Sequence, residues 1–412
     1  MVKKVVMGQL SEEGKNGSCP RLRRGRPFLP PFSNQLQKIA VFWLFLGLGF
    51  IYPARGIYAD EVVRIAVLQE EPSFYLQIKG AFEIQDESGR QVYKGKNLKK
   101  RLIKADSGKI ILPGSLLNLV RLKIFPKSGY AYINNRLYRG RVSIIPKENA
   151  RFLVVNELDP ENYLRGILCN EIAPWWPLDA LKAQAVVART YALYQRQFTK
   201  NKDFDLTSDI YSQVYGGKTS EKWRSNRAVD LTRGEILTFK GKLFPAYYHA
   251  ACGGHTEDAG MLWKVDLAPL KGVGCVFCSG SPHFKWQAEI SSAEIKSKLS
   301  AKGFKIDYFD EIEIASLNPS GRINELEIKS ADNSLVISAK DFRQALGPNV
   351  LRSTNFTMKI ISDKVYFEGL GWGHGVGLCQ WGMYELAKNG KNYKEILKYY
   401  YPQSEITKPD KK

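Results

Sequence analysis

A change in hydrophobic periodicity partway along the chain most constrains its fold. From Val62 to about Lys147, apolar and polar residues alternate in short runs separated by Gly, Pro, Asn and Ser, which is typical of strands that bury one face. From Pro177 to Gln197, apolar residues instead recur every three or four positions. That spacing predicts an amphipathic helix with the proline in its first turn. Both patterns recur later in the chain, so we predict an α+β fold.

The same patterns predict how the chain is divided. The predicted parts are an export signal or N-terminal anchor over residues 1–59, a β-rich portion over 60–148 and a mixed α/β core over 149–405. Within the core, shorter helices are predicted at 292–302, 339–346, 380–388 and 392–401. The segment 209–217 alternates like a strand that ends in a Gly-Gly turn.

The N-terminal segment predicts the compartment. Residues 39–52 form an uncharged apolar run that follows a basic stretch and precedes a small residue, Ala59, which resembles an export signal. At about 1.5 Å per residue the run covers about 21 Å, short for a bilayer core of about 30 Å. Cleavage or marginal anchoring is therefore expected. We place the protein in the cell envelope, periplasmic or extracellular, with membrane contact only through this segment.

The basic charge extends beyond that segment. Residues 1–59 hold nine Lys/Arg and two Glu, hence +7 of the formal +20, so the rest of the chain carries +13. Such a surplus suits an anionic polymer: nucleic acid, an anionic lipid surface or an acidic wall polymer. Because export argues against nucleic acid, a polymer of the envelope is the expected partner. With 44% hydrophobic residues, the chain is not a disordered one.

An acid in an apolar stretch is the first candidate for chemistry. Glu171 is followed closely by Trp175 and Trp176, and poor solvation raises the pKa of a carboxyl group, as a general acid requires. A helix-entry glutamate stabilised by the helix dipole is the alternative. Lys182 and Arg189 lie seven residues apart on one helix stripe. They would orient Glu171 or bind an anionic substrate group, or else form a solvated face.

Two further segments carry polar groups suited to a cleft. Tyr211, Gln213 and Tyr215 alternate before the Gly-Gly turn, and such phenol and amide groups suit sugar rings and hydroxyls; an ordinary half-buried strand is the alternative. His374 lies within the glycine-rich segment 369–377, where glycines permit close approach of the backbone to a ligand. The glycine spacing does not match a dinucleotide loop. A structural hydrogen-bonding role for His374 is the alternative.

Cysteine and histidine residues cluster in the second half of the chain. The predicted structural zinc ligands are Cys252, Cys275, Cys278 and His283, with His249 or His255 as alternatives. A Cys-x-x-Cys pair with distant partners has the spacing of such sites, and the chain lacks the His-Glu-x-x-His motif of a catalytic one. In an exported protein the cysteines would alternatively form disulfides, such as one between Cys252 and a member of the pair, or stay free.

Five motifs in a fixed order resemble one known family. They are VNELxxxNYLRG at 155–166, Glu171 with KAQAVVARTY at 182–191, SQVY at 212–215, CGGxTE at 252–257 and GHGVGxxQWG at 373–382. Over roughly residues 62–402 the chain resembles the SpoIID/LytB family, the stage II sporulation protein D type. The resemblance implies an exported protein that acts on peptidoglycan glycan strands. We expect catalysis to require no cofactor. It implies Glu171 as the catalytic acid/base. It implies a surrounding cleft of Lys182, Arg189, Tyr191, Gln213, Tyr215, His374 and Gln380.

The SpoIID branch consists of lytic transglycosylases, whose reaction needs one carboxylate where ordinary glycosidases use two. One acid/base would cleave the β-1,4 bond between N-acetylmuramic acid and N-acetylglucosamine and form a 1,6-anhydro ring. Lys182 or Arg189 would pair with a lactyl carboxylate, and Trp175, Trp176 and Tyr215 would stack on sugars. The LytB branch modifies a cell-wall amidase, so a noncatalytic amidase enhancer is the alternative. A hydrolase that leaves reducing ends is a third hypothesis.

Overall fold

The computed structural model describes residues 62–105, 109–112, 115–118, 121–127, 129–306, 308–330 and 333–408. The predicted export signal over residues 1–59 lies outside the described residues. Within the described ranges, no helix combines the length and apolar character needed to cross a membrane.

The described residues from Val63 to Leu158 form strands, as the alternation predicts for 62–147. They are β1 (Val63–Glu71), β2 (Ser73–Lys79), β3 (Phe82–Gln85), β4 (Gln91–Gly95), β5 (Leu98–Lys104), β6 (Lys109–Leu112), β7 (Ser115–Asn118), β8 (Leu122–Pro126), β9 (Tyr130–Ile133), β10 (Arg136–Tyr138), β11 (Arg141–Lys147) and β12 (Arg151–Leu158). In β2, Phe74, Leu76 and Ile78 are buried while Tyr75 is exposed. Alternate side chains of a strand point to opposite faces, so β2 buries one face only.

Two helices follow, α1 (Pro160–Glu171) and α2 (Leu178–Phe198). Asp159 caps α1, since its side chain accepts a hydrogen bond from the Asn162 N–H, and Pro160 occupies the first turn, where no N–H is needed. The next elements are β13 (Leu206–Thr207), the 3-10 helix Gly217–Ser220, α3 (Trp223–Leu231), β14 (Ile236–Phe239), β15 (Lys242–Leu243), β16 (Tyr248–His249) and α4 (Ala259–Trp263).

A segment with its own core then interrupts the predicted single core. Its elements are β17 (Lys285–Ser291), α5 (Ser292–Ser300), β18 (Glu311–Leu317), β19 (Ile323–Lys329), β20 (Ser334–Ser338), α6 (Ala339–Leu346), β21 (Phe356–Ile361) and β22 (Lys364–Leu370). Leu326, Phe342 and Phe367 belong to a hydrophobic cluster separate from that of the main body. The chain finishes with β23 (Leu378–Cys379), α7 (Gln380–Lys388), α8 (Tyr393–Tyr400) and β24 (Glu405–Thr407).

The main sheet joins the two parts that the sequence pattern separates. Its strand order is β13, β1, β12, β11, β8, β3, β4. The predicted boundary at residue 148 falls in the hairpin between β11 and β12, which pair in antiparallel register from Arg141 opposite Glu157. A second sheet, in the order β10, β9, β2, β5, packs on the main sheet through Phe74 and Phe152, with ring centroids 5.2 Å apart. The predicted α+β class is confirmed.

A short parallel strand pair positions the glycine-rich segment. β16 pairs with β23 so that Tyr248 lies opposite Leu378 and His249 opposite Cys379. Gly377, immediately before β23, has a φ of 71°, and a Cβ there would lie 2.1 Å from the Tyr247 carbonyl oxygen. Only glycine fits this approach without displacing backbone.

Candidate active site

Glu171 ends α1 in a largely apolar setting. Ile167, Leu168 and Ile172 are fully buried around it. Burial raises the pKa of Glu171 to about 7, and hydrogen bonds from the Val214 N–H and the Tyr248 hydroxyl oppose that rise. The Val214 nitrogen lies 2.8 Å from Oε1. Near neutral pH the protonated and ionised forms of the carboxyl group are therefore present in comparable amounts. A group that donates and then accepts a proton requires both forms.

A chain of hydrogen bonds leads from the core to Glu171. The Tyr163 hydroxyl donates to Oε1 of Gln213 over 2.9 Å. Nε2 of Gln213 donates to the Ala188 carbonyl over 3.3 Å and to the Tyr248 hydroxyl oxygen over 3.1 Å. Because Tyr248 accepts from Gln213, its own proton is free to donate to Glu171. Gln213 thus lies behind the acid and orients its tyrosine partner.

Tyr248 is the residue that sequence reasoning missed. It lies between Tyr247 and His249, outside the five family motifs, so neither its residue type nor its spacing indicated a role at the site. The pairing of β16 with β23 holds this strand where the Tyr248 hydroxyl contacts Glu171. Topology is therefore the only signal that identifies it.

His374 supports this strand from the glycine-rich segment. Its Nδ1 accepts a hydrogen bond from the Val376 N–H over 3.1 Å, and its ring packs against Tyr247 and Trp263, with centroids 6.0 and 5.1 Å away. Burial, together with nearby Arg343 and Arg322, lowers the pKa of His374 to about 3. His374 is thus neutral at physiological pH, and its place favours a supporting role over proton transfer.

Tyr191 and Gln380 occupy the flanks of this arrangement. The Tyr191 ring lies 6.5 Å from the Tyr248 ring, and burial, with a further contribution from Glu171, raises the pKa of Tyr191 to about 12. Gln380 is buried at the start of α7, and its Nε2 donates to Oε1 of Gln184 on α2 over 3.3 Å. Tyr191 therefore lies beside the acid, while Gln380 joins two helices.

The two predicted basic residues do not reach Glu171 in the structure. Arg189 is 0% exposed, and its guanidinium donates to both carboxylate oxygens of Glu161, at 2.9 and 2.8 Å, and to the Glu235 carbonyl at 2.9 Å. Lys182 pairs with Asp179 over 3.3 Å, and its Nζ lies 5.4 Å from the centre of the Tyr393 ring. The predicted pairing of Arg189 with a lactyl carboxylate is corrected, because all of its contacts lie inside the protein.

The segment 209–217 does not form the predicted strand. Tyr211 is 83% exposed, while Gln213 is fully buried and Tyr215 is 1% exposed, so the three side chains do not share one face. Tyr215 donates to Oδ1 of Asn156 over 2.6 Å and is a core residue, which corrects its predicted sugar-stacking role. Turns, bends and irregular backbone replace the strand, and this segment presents the Val214 N–H to Glu171.

The two tryptophans after Glu171 also differ from each other. Trp175 is 58% exposed and remains available to a ligand. Trp176 is 4% exposed and packs on Trp381 and Tyr384, with ring centroids 5.3 and 4.9 Å away. The predicted sugar-stacking role of Trp176 is therefore corrected as well.

Four cysteines meet near the start of α7. The sulfur atoms of Cys252, Cys275, Cys278 and Cys379 all lie within 4.8 Å of one another, and all four residues are buried. Backbone N–H groups of Cys252 and Gly382 donate to Sγ of Cys379 over 3.3 and 3.4 Å. Tetrahedral zinc with Zn–S bonds of about 2.3 Å requires sulfurs about 3.8 Å apart. The donor set and its size fit a four-thiolate metal site.

The predicted fourth ligand is corrected from His283 to Cys379. The His283 ring packs edge-on against Trp372, with centroids 4.7 Å apart. Of the alternative ligands, Nδ1 of His249 contacts the Val376 carbonyl at 3.1 Å, and Nδ1 of His255 contacts the Thr256 carbonyl at 2.6 Å. In the described ranges only the four-cysteine group has the proximity of a metal site, and the five described cysteines form no disulfide.

Comparison with known proteins identifies relatives of this arrangement. Residues 148–239 match the family model described as stage II sporulation protein, SpoIID, and residues 277–377 match a domain of unknown function, DUF8618. An uncharacterized protein of Brachyspira hyodysenteriae is 40% identical over 270 residues, covering 65% of this chain and 72% of that protein. Stage II sporulation protein D of Bacillus subtilis is 30% identical, covering 62% of this chain and 76% of its own length.

A second Bacillus subtilis relative represents the other branch. The amidase enhancer is 27% identical over 294 residues, which cover 59% of this chain and 40% of the relative. The chain belongs to the SpoIID/LytB family, as the five motifs predicted. The SpoIID model covers α1, α2 and the segment 209–217, and hence Glu171 and Gln213.

Proposed function

We propose that the protein is a peptidoglycan lytic transglycosylase that uses Glu171 as its single acid/base. Family membership supports a role in the cell wall, with relatives named for sporulation and for amidase enhancement. The observation that carries the transglycosylase proposal is the environment of Glu171. Its pKa is about 7, and a backbone N–H and a tyrosine hydroxyl donate hydrogen bonds to its carboxylate. No carboxylate in the described part of the chain contributes to that shift.

One carboxyl group suffices when the substrate supplies the nucleophile. Protonated Glu171 gives its proton to the glycosidic oxygen while the bond from that oxygen to C1 of N-acetylmuramic acid breaks, and an oxocarbenium-like centre develops at C1. The carboxylate of Glu171 then takes the proton of the C6 hydroxyl on the same sugar. That oxygen bonds to C1 and closes the 1,6-anhydro ring. Both proton transfers use the same group, so the reaction requires no second carboxylate and consumes no water.

The neighbours of Glu171 assist each half of this reaction. The apolar surroundings keep the acid protonated near neutral pH. The Val214 N–H and the Tyr248 hydroxyl stabilise the carboxylate once the proton has left, because hydrogen bonds to the charged form favour it. A group without such partners would hold its first proton too tightly to release it. Trp175, exposed and four residues from the acid, offers an aromatic face for a sugar ring.

The products test the proposal directly. We expect purified protein incubated with denuded glycan strands to release fragments ending in 1,6-anhydro-N-acetylmuramic acid, detected by mass spectrometry. Performing the reaction in ¹⁸O-labelled water separates the alternatives, since ring closure incorporates no label and hydrolysis places one ¹⁸O at each new reducing end. Labelled reducing ends would replace our proposal with a hydrolase. Intact strands, together with stimulation of an added cell-wall amidase, would favour the amidase enhancer that the second relative suggests.

Tyr248→Phe is expected to lower the cleavage rate about tenfold and to move the pH profile, because it removes a hydrogen bond that favours the Glu171 carboxylate. The pKa of Glu171 then rises above 7. Since cleavage begins with protonated Glu171, activity in the native protein falls as pH increases through about 7, and this decline should shift to higher pH in the variant. The measurement is kcat/KM from pH 5 to 9. A slower variant with an unmoved profile would assign Tyr248 to packing alone.

We also propose that the four-cysteine group binds a structural zinc ion. Cys252, Cys275, Cys278 and Cys379 would hold it, and the N–H groups on Cys379 would stabilise its thiolate. Bound zinc would join the segment after β16 to the start of α7, and so support Tyr248.

We further propose export to the envelope, where the glycan substrate lies.

A further inference from the structure

The outer face of the second sheet carries groups that the proposed reaction does not use. In this sheet β2, β5 and β9 turn their buried residues toward the main sheet and leave the opposite face open. We call this open side the tyrosine–lysine face. It consists of Tyr75, Lys79, Lys100, Leu102, Lys104, Tyr130 and Tyr132, each exposed or half-buried.

Strand register places these side chains together. Tyr75 pairs directly with Leu102 of β5, and Lys79 pairs with Tyr130 of β9. Paired residues on neighbouring strands point to the same face, and Tyr75, at 45% exposed, is an apolar ring left in water. The face therefore alternates aromatic rings with lysines instead of presenting the mixed charges of an ordinary solvated surface.

The lysines lie over the rings. Nζ of Lys100 is 4.5 Å from the centre of the Tyr75 ring, and Nζ of Lys79 is 5.1 Å from that of Tyr132. From outside the sheet, Nζ of Lys218 is 5.3 Å from the Tyr130 ring. These contacts keep the cationic groups beside the aromatic faces.

Charge on this sheet is of one sign. The four strands contain six Lys or Arg and no Asp or Glu. A surplus of positive charge on these strands attracts an anionic partner. Aromatic faces beside it suit sugar rings, whose apolar C–H faces pack on tyrosine. A free phosphate would use the lysines and not the tyrosine rings. A lipid surface can accommodate both groups, so binding to vesicles is measured as a separate outcome.

We propose that the tyrosine–lysine face is a second, noncatalytic binding surface for an anionic polysaccharide. The choice of wall glycan as that polysaccharide rests on the proposed function. Position supports it, because the 3-10 helix Gly217–Ser220 links the face to the acid. Thr219 of this helix accepts a hydrogen bond from the Leu137 N–H of β10 over 2.8 Å. Three residues before the helix, Val214 donates to Glu171. A long glycan bound at Glu171 would therefore have this basic aromatic surface next to the segment that contacts the acid.

The test measures binding of the full chain carrying Glu171→Gln, so that the polymer is not consumed. The face variant is Lys79→Ser/Lys100→Ser/Lys104→Ser. The matched control removes the same charge from exposed positions on the inserted segment, Lys296→Ser/Lys302→Ser/Lys305→Ser. A third variant, Tyr75→Ala/Tyr132→Ala, removes rings without altering charge. Binding to purified peptidoglycan sacculi, neutral chitin, double-stranded DNA and phosphatidylglycerol vesicles is measured by sedimentation at increasing salt.

We expect the face variant to bind sacculi at least tenfold more weakly at low salt, with a shallower salt dependence, and the charge-matched control to change less than twofold. The tyrosine variant should lose severalfold affinity for both sacculi and chitin. Equal weakening of sacculus binding in the face and control variants would overturn the proposal. It would also be overturned if the face variant lost DNA or vesicle binding while the tyrosine variant bound sacculi and chitin as well as its parent. If the face variant loses sacculus binding while the native protein forms no anhydro product, the proposed reaction is refuted and this binding surface is retained.

Discussion

Glu171→Gln is expected to reduce formation of 1,6-anhydro ends by about 10³-fold or more, because the substitution removes both proton transfers from one site. Glutamine has nearly the shape of glutamate, and its amide oxygen still accepts from the Val214 N–H, which lies 2.8 Å from Oε1 in the native protein. The loss would therefore report chemistry and not a rearranged cleft. Mass spectrometry of products over several hours provides the range needed to see a residual rate.

The matched control is Glu289→Gln, at an exposed position of β17 in the inserted segment. It makes the same chemical change away from the cleft and should leave the rate within twofold. Equal activity of the native protein and the Glu171 variant would remove this residue from the mechanism. Glu171 would then be a helix-end glutamate whose burial serves only packing.

Stability offers a second readout of the same substitution. The folded-state pKa of Glu171 is about 7, above the ordinary 4.5, so the folded protein binds the extra proton. The stabilisation of the folded protein by this proton is complete below about pH 4.5 and is lost as pH rises through about 7. Glutamine cannot ionise. At pH 8 the variant should thus be more stable than the native protein by up to about 3 kcal/mol, with the difference vanishing near pH 4, as measured by urea unfolding at both pH values.

Local patterns predicted the elements far better than their assembly. The predicted helix at 177–197 is observed at Leu178–Phe198, and those at 339–346 and 380–388 match α6 and α7 residue for residue. These segments combine helical periodicity with defined ends, such as the Ser338 side chain that accepts from the Asp341 N–H. Periodicity and capping act within one turn, so one sequence contains all that they require.

Burial of polar residues was not predictable in the same way. Arg189 and Lys182 occupy one helix stripe in sequence, yet Arg189 meets Glu161 of α1 while Lys182 meets Tyr393 of α8. The segment 209–217 alternates like a strand, but it is irregular in the structure, and its Val214 N–H contacts Glu171 on α1. In each case the partner lies on another element, and only the packing of α1, α2 and β16 decides which polar groups contact Glu171.

The proposed metal ligands show the same limit. Cys252, Cys275 and Cys278 were identified from spacing, but the nearest histidine in sequence, His283, was preferred to Cys379, about 100 residues further along. Parallel pairing of β16 with β23 places His249 opposite Cys379 and carries that thiol to the cluster. Four cysteines in one half of the chain were a usable signal, since a complete thiol set needs no histidine.

Cys379→Ser is expected to abolish zinc binding, whereas His283→Ala should retain it. Elemental analysis of the native protein should give one zinc per chain, with His283→Ala equal and Cys379→Ser near zero after dialysis against a mild chelator. Three remaining thiols cannot complete the tetrahedral site. Because binding energy of a structural metal is folding energy, the serine variant should also lose about 4 kcal/mol or more of stability, with the same loss when the native protein is stripped of zinc.

Two outcomes would contradict this assignment. Loss of zinc in His283→Ala with retention in Cys379→Ser would restore the ligand set chosen from spacing. A native protein without zinc, whose mass is lower by two hydrogens per cysteine pair, would replace the metal with disulfides, as export permits. The cysteine group should also affect catalysis indirectly, because Cys252 lies four residues after Tyr248 and Cys379 forms β23 beside it. Zinc-free protein that still folds should then show the tenfold slower cleavage and shifted pH profile expected of Tyr248→Phe, since both changes withdraw the same hydroxyl from Glu171.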